Sequence, residues 1–148
     1  MPSTDAPPRP RVVQTLRRVN RLVQQSGDRI AREHGLTMQQ WELLARLTRA
    51  GAPVDQGRLA CGLHVSAPTL TALVDAASER GLVERQAHPD DRRRRLVALT
   101  DEGHGRLQHA PHIGRMVGQR MLAGFTREER DQLAQLLQRC AENLEVAR

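Results

Sequence analysis

The sequence predicts a mainly α domain with a small β-hairpin, and three observations carry that expectation. Apolar residues recur at spacings of three and four along most of the 148-residue chain. Serine, threonine and aspartate stand where helices should begin, and glycine where they should end. Between residues 82 and 99 the period changes, with two short runs flanking a polar stretch that holds a proline and several arginines.

Residues 1–10 hold Pro2, Pro7, Pro8 and Pro10 and no apolar periodicity, so a disordered lead-in is expected there and one domain over 11–148. Val12, Leu16, Val19, Val23, Ser26 and Ile30 then form the seam of a long first helix that Gly35 stops. Thr37 with Gln40 makes a capping box, and Leu36 and Trp41 take the positions of a hydrophobic staple, so a second helix should run from Met38 to about Gly51. After a turn at Ala52-Pro53, Asp55 can cap a short third helix with Leu59, Ala60 and Leu63 on its apolar side. His64-Val65 separates it from Ser66, the N-cap of a fourth helix with Pro68 in its first turn and Leu70, Leu73, Val74 and Ala77 on its apolar face. Gly81 closes that helix. Leu82–Gln86 and Arg94–Leu99 read as the strands of a hairpin with an arginine-loaded tip. Thr100, Asp101 and Glu102 open a fifth helix expected to reach Gly124 with a kink at Pro111. A second capping box, Thr126 with Glu129, starts a sixth helix whose stripe is Leu133, Leu136, Leu137, Cys140 and Leu144.

Composition narrows the function. All 23 basic residues are arginine, against 17 acidic ones, for a net charge of +6. The planar guanidinium fork suits phosphates and the guanine edge, so the balance favours an anionic partner, although a proteome-wide preference for arginine would produce the same count. No apolar run approaches the length of a bilayer span and the Pro-rich opening is unlike a secretion signal, so no membrane partner and a cytoplasmic location are expected. Two distant cysteines, Cys61 and Cys140, fit a reducing compartment. No nucleophile motif surrounds a serine or cysteine and there is no Gly-rich phosphate loop, so the chain is not expected to be an enzyme, and no cofactor is implied.

Two short helices joined by a tight turn, the second followed at once by a basic hairpin, outline a winged helix-turn-helix. The residues that fill this outline resemble the MarR (multiple antibiotic resistance regulator) family of bacterial transcription factors over nearly the whole chain. Arg85, Pro89, Asp91 with Arg93, and then Leu99, Thr100 and Gly103 match the family's wing pattern of an Arg, a Pro, an Asp-x-Arg and a closing Leu-Thr-x-x-Gly. The resemblance implies a winged helix-turn-helix over 38–100 between N- and C-terminal dimerisation helices at 11–35 and 101–148. It also implies a homodimer on a pseudo-palindromic site in double-stranded DNA, most often as a ligand-responsive repressor. Val12, Leu16 and Val19 with Leu133, Leu136, Leu137 and Leu144 are the expected interface, since both stripes exceed what a small three-helix domain can cover.

In such a complex phosphates supply most of the affinity and base edges the discrimination. The recognition helix, about 67–80, offers Ser66, Thr69, Thr71 and Ala72 at its N-terminal end, where the family often carries Arg at the place of Ala72. Methyl and hydroxyl contacts are what these residues permit. The wing adds Arg92, Arg93, Arg94 and Arg95, which on strand alternation should divide between two faces. By resemblance, Arg92 or Arg93 enters the minor groove and Asp91 orients the tip through a salt bridge, leaving Arg94 and Arg95 for phosphates. The rival is a basic RNA-binding or nucleoid-type protein, for which the near-absence of aromatic residues is a poor fit.

By resemblance a small organic effector, often phenolic or otherwise aromatic, would bind between the dimer helices and the DNA-binding lobe. Met38, Trp41, Leu44, His112 and Met116 are the candidate lining, each of which also reads as plain core. A zinc-responsive alternative would use His109 and His112 with Glu33, His34 and Glu42, but Pro111 interrupts the pair. The first helix lacks the Cys of peroxide-sensing relatives and the Trp of urate-responsive ones. Cys140, on the apolar stripe, is expected to be an inert buried thiol, and Cys61 to lie near a surface turn.

Overall fold

The computed structural model describes residues 11–110 and 112–146, so the expected lead-in at 1–10 and Pro111 lie outside the described residues. The element order is α1 (Arg11–Glu33), α2 (Met38–Ala50), β1 (Val54–Asp55), α3 (Gln56–Leu63), α4 (Ala67–Glu79), β2 (Val83–Ala87), β3 (Arg95–Leu99), α5 (Asp101–His109), α6 (Ile113–Met121) and α7 (Arg127–Val146). The chain forms two compact units, the first ending at Gly114 and the second beginning at Arg115. Among the described residues no single helix is long and apolar enough to cross a membrane.

In the first unit the local signals of the sequence become hydrogen bonds. The Thr37 hydroxyl accepts from the Gln40 amide while the Gln40 side chain accepts from the Thr37 amide, closing the capping box of α2. Asp28 of α1 accepts the Met38 amide at 2.7 Å, so α1 itself satisfies an orphan donor at the start of α2. Gln40 is buried, and its Oε1 also accepts from Arg80 at 2.7 Å, which ties the end of α4 to the start of α2. Gly35, Gly51, Gly81 and Gly124 all have positive φ, as helix-stopping residues should. The α3–α4 turn instead passes through His64 at φ 54, a left-handed non-glycine cap that sequence reading did not single out. The two helices bend by 106° there, within the range of helix-turn-helix pairs.

Leu36 and Met38, with Leu43, Leu44 and Leu47 of α2, are buried, as are Leu59 of α3 and Leu70, Val74 and Ala77 of α4. Val83 and Val97 supply the sheet side of this core. The sheet has three strands in the order β1-β3-β2, all antiparallel, rather than the two of the expected hairpin. β2 pairs β3 from Val83 with Leu99 to Ala87 with Arg95, while β1 adds Val54 opposite Val97 and Asp55 opposite Leu96. Two residues are too short to show a period, so this strand has no sequence signature of its own.

The expected fifth helix is two helices. Ala110 leaves the helical region at φ −127, ψ 46, because the residue before a proline is driven out of it, and α5 therefore stops at His109. α7, in the second unit, has its capping box in place: Glu129 Oε2 accepts the Thr126 amide and the Thr126 hydroxyl accepts the Glu129 amide. Its stripe is not buried, with Leu136, Leu137 and Leu144 exposed and Leu133 half-buried. Cys140 is likewise exposed, so the single chain does not by itself bury the thiol or the stripe that carries it.

Candidate nucleic-acid interface

At the N-terminus of α4, Ser66 accepts the Thr69 amide at 3.3 Å and its hydroxyl lies 2.8 Å from that of Thr69. Thr71 donates back to the Ala67 carbonyl at 3.0 Å. Ser66, Thr69, Thr71 and Ala72 are all exposed, and the same helix exposes Asp75 and Glu79 but no cation before Arg80. The hydroxyls already have partners within the helix, so the methyl groups of Thr69, Thr71 and Ala72 are its freest contact groups, and positive charge must come from elsewhere.

It comes from the wing, whose tip is residues 88–94. Asp91 Oδ1 accepts the Arg93 amide at 2.9 Å and the Asp91 carbonyl accepts the Arg94 amide at 3.0 Å. The expected salt bridge of Asp91 is thus replaced by an Asx-type turn, in which a short carboxylate organises the backbone two residues on. Arg92 to Arg94 lie in this turn and only Arg95 in β3, so strand alternation does not sort the four arginines.

Hydrogen bonding sorts them instead. Arg94 Nε donates to Asp55 Oδ2 at 2.9 Å, and the other oxygen of Asp55 accepts the Gly57 and Arg58 amides at 2.9 and 3.2 Å. One carboxylate therefore caps α3 and anchors the wing. Its hydrogen bond with Arg94 holds the Asp55 pKa below the usual carboxylate value, helped by the two amides. Arg95 donates to the Arg92 and Arg94 carbonyls, at 3.1 and 3.5 Å, and so braces the tip. Arg94 and Arg95, expected at phosphates, are instead tethered, Arg94 to the cap of α3 and Arg95 within the wing. Among the described residues Arg92 and Arg93 are exposed and their side chains make no hydrogen bond or ion pair.

Arg85 of β2 is the residue whose task sequence reading missed. It donates to Asp75 of α4 at 2.5 Å, to Gln56 of α3 at 3.1 Å and to the Thr71 carbonyl at 3.4 Å, joining wing, turn and recognition helix. The signal was its opposite charge to Asp75, but which pair meets depends on the helix–sheet packing.

The candidate effector residues differ in exposure. Met38 and Leu44 lie in the core, whereas His112 and Met116 are exposed. Trp41 donates from Nε1 to the Ala110 carbonyl and lines a recess of about 400 Å³ with Ala45, Thr48, Arg49, His104, Leu107 and Gln108. Glu42, half-buried in α2, has its pKa raised by burial. Among the described residues no three His, Cys, Asp or Glu side chains come together as a metal site, and His109 is bonded to the Gly105 carbonyl of its own helix.

Comparison with known proteins agrees with this architecture. The sequence model of the MarR family matches residues 36–94, which run from the start of α2 to the wing tip. The HTH-type transcriptional regulator PecS of Dickeya dadantii is 29% identical over 135 residues, 90% of this chain and 81% of that protein. A probable transcriptional regulator from Pseudomonas aeruginosa is 30% identical, with 88% of this chain and 97% of that one aligned at a TM-score of 0.78. A mutant of MarR from E. coli, solved with operator DNA, is 25% identical at a TM-score of 0.78 over 86% of this chain and 91% of that one. The chain belongs to the MarR family of winged helix-turn-helix transcriptional regulators.

Proposed function

We propose that the chain acts in the cytoplasm as a homodimeric repressor that binds a pseudo-palindromic duplex operator and responds to a small organic ligand. The observation that carries the DNA-binding part is the wing: two arginines with no side-chain partner among the described residues stand on a tip that Asp91, Asp55 and Arg95 hold in shape. A guanidinium presented this way suits a narrow A·T-rich minor groove, which is read by its shape and negative potential. The threonine and alanine methyls of α4 would meet thymine methyls in the major groove, and the helix N-terminus a phosphate. Homodimerisation is supported by the exposed Val12, Leu16 and Val19 of α1 and Leu136, Leu137 and Leu144 of α7, which a partner chain would cover. The recess at Trp41 supports an aromatic effector of modest size. Exposed aromatic residues for stacking single-stranded bases are scarce, which favours duplex DNA over RNA.

Nuclease protection of the promoter beside the chain's own gene tests the reading. Two protected half-sites are expected with centres about 10 bp apart, or a multiple of that. An asymmetric footprint that fits one protomer at every concentration overturns the dimer, and equal competition by single strands overturns duplex recognition.

A further inference from the structure

We propose that the cavity behind the wing is a binding site for a small organic polyanion, separate from the recess at Trp41 except that Arg49 borders both. The cavity has a volume of about 730 Å³, in the range of small-molecule sites. Four guanidinium groups line it, Arg46 and Arg49 from α2, Arg58 from α3 and Arg94 from the wing, against two carboxylates, Asp55 and Asp90. The formal balance is thus +2 on one wall set. Asp55 is already committed to Arg94 and to two amides of α3. Among the described residues Arg46, Arg49 and Arg58 make no ion pair, so three cations border the cavity with only the Asp90 carboxylate left against them.

Arg46 is also seated by the fold. A Cβ at Gly62 would lie 2.2 Å from the Arg46 Cζ and Nη2 atoms, so the guanidinium lies against the α3 backbone at that glycine and would have to swing away from a larger residue there. The floor between the arginines is apolar, formed by Ala52, Pro53, Val54 and Leu96. An arginine rim over an apolar floor matches a molecule with an apolar body and two or more carboxylates or phosphates, each able to take a guanidinium fork side-on. A backbone phosphate of DNA carries no apolar body to fill that floor, which favours a free ligand over a flank of the operator.

The test is calorimetric titration of the full chain with benzene-1,3,5-tricarboxylate at constant ionic strength and without DNA, so that its outcome is independent of operator binding. Saturable binding at one site per protomer is expected, with no heat from the uncharged 1,3,5-tris(hydroxymethyl)benzene. R46A and R58A should each weaken binding at least tenfold, and R139A, on α7, should leave it unchanged. G62A keeps every charge but displaces Arg46 from its seat, and it should weaken binding while thermal unfolding confirms a folded chain. Equal binding to R46A, R58A and the unsubstituted protein overturns the proposal. So does an absence of binding, and if R46A and R58A then also lower duplex affinity and its salt dependence, the cavity is a DNA phosphate contact instead.

Discussion

Gly103 sits in the first turn of α5, and its replacement by alanine separates local helix preference from tertiary packing. A Cβ there would stand 2.0 Å from the Leu82 carbonyl oxygen and 2.9 Å from a Leu99 methyl. Restoring an ordinary contact of 3.4 Å to that oxygen needs a movement of 1.4 Å. The carbonyl cannot retreat freely, because it also accepts the Thr100 amide at 3.3 Å, while the Thr100 hydroxyl donates to the Gly81 carbonyl at 2.6 Å. Overpacking of this kind costs about 1–3 kcal/mol and a strained hydrogen bond about 1 more, against roughly 1 kcal/mol gained by replacing a helical glycine. G103A should therefore be destabilised by about 1–3 kcal/mol, or several degrees in Tm at about 2–4 °C per kcal/mol for a chain of this size. Gly105 provides the control in the same helix, since a Cβ there meets nothing within 4 Å. G105A should gain about 0.5–1 kcal/mol. Both are compared by urea and thermal unfolding at one fixed protein concentration. A G103A chain as stable as G105A would show that α5 does not press against the end of α4 and the start of β2 as described.

Four further outcomes are expected. Burial raises the Glu42 pKa, so its stabilising contribution is full below the unfolded carboxyl value near 4 and is lost as pH rises through the folded one. E42Q should then raise Tm at neutral pH and match the parent in acid, and an equal shift at both would reject the burial argument. Asp55 has the opposite sign: its pKa is lowered, chiefly by Arg94, so its contribution holds at neutral pH and disappears as pH falls through the depressed value. D55N keeps the oxygen that caps α3 but loses the ion pair, so its stability deficit should close in acid, as a pH series of unfolding curves would reveal. L137D should lower both the dimer fraction in light scattering and DNA binding, because a shared apolar face would bury an unpaired charge. A monodisperse monomer of the unsubstituted protein at micromolar concentration contradicts this. R93A or R92A, whichever removes the groove contact, should cost about 1–3 kcal/mol more on an A·T-rich operator than on a G·C-rich control in binding titrations, whereas loss of a plain phosphate contact would weaken both alike.

Much of the fold was legible because its boundaries are set by residues that act over three or four positions. Thr37 with Gln40, Ser66, Thr100, and Thr126 with Glu129 each form the cap that the sequence suggests. What was not legible depends on partners far apart in the chain. Asp55 and Arg94 are 39 residues apart, and only the pairing of β1 with β3 brings them together. Arg94 therefore read as a phosphate contact beside Arg95 until its partner was known. Arg85 is the same case, since its three acceptors come from α3 and α4. The candidate effector residues were hard to sort for another reason. Helical spacing alone does not tell an inward-facing core residue such as Leu44 from one that borders an opening such as Trp41.

Trp41 is the only tryptophan of a chain without tyrosine, and its indole N–H is held by the Ala110 carbonyl at the break between α5 and α6. Excitation at the red edge of the protein's ultraviolet absorption therefore selects one chromophore in one environment. Its emission wavelength reports whether that hydrogen bond survives, and its quenching by a small solute reports how open the adjoining recess is. A ligand that enters the recess, or a substitution that breaks this hydrogen bond, would be visible without any attached label. Two events that unfolding curves merge would then be resolved as separate spectral changes in the same cuvette.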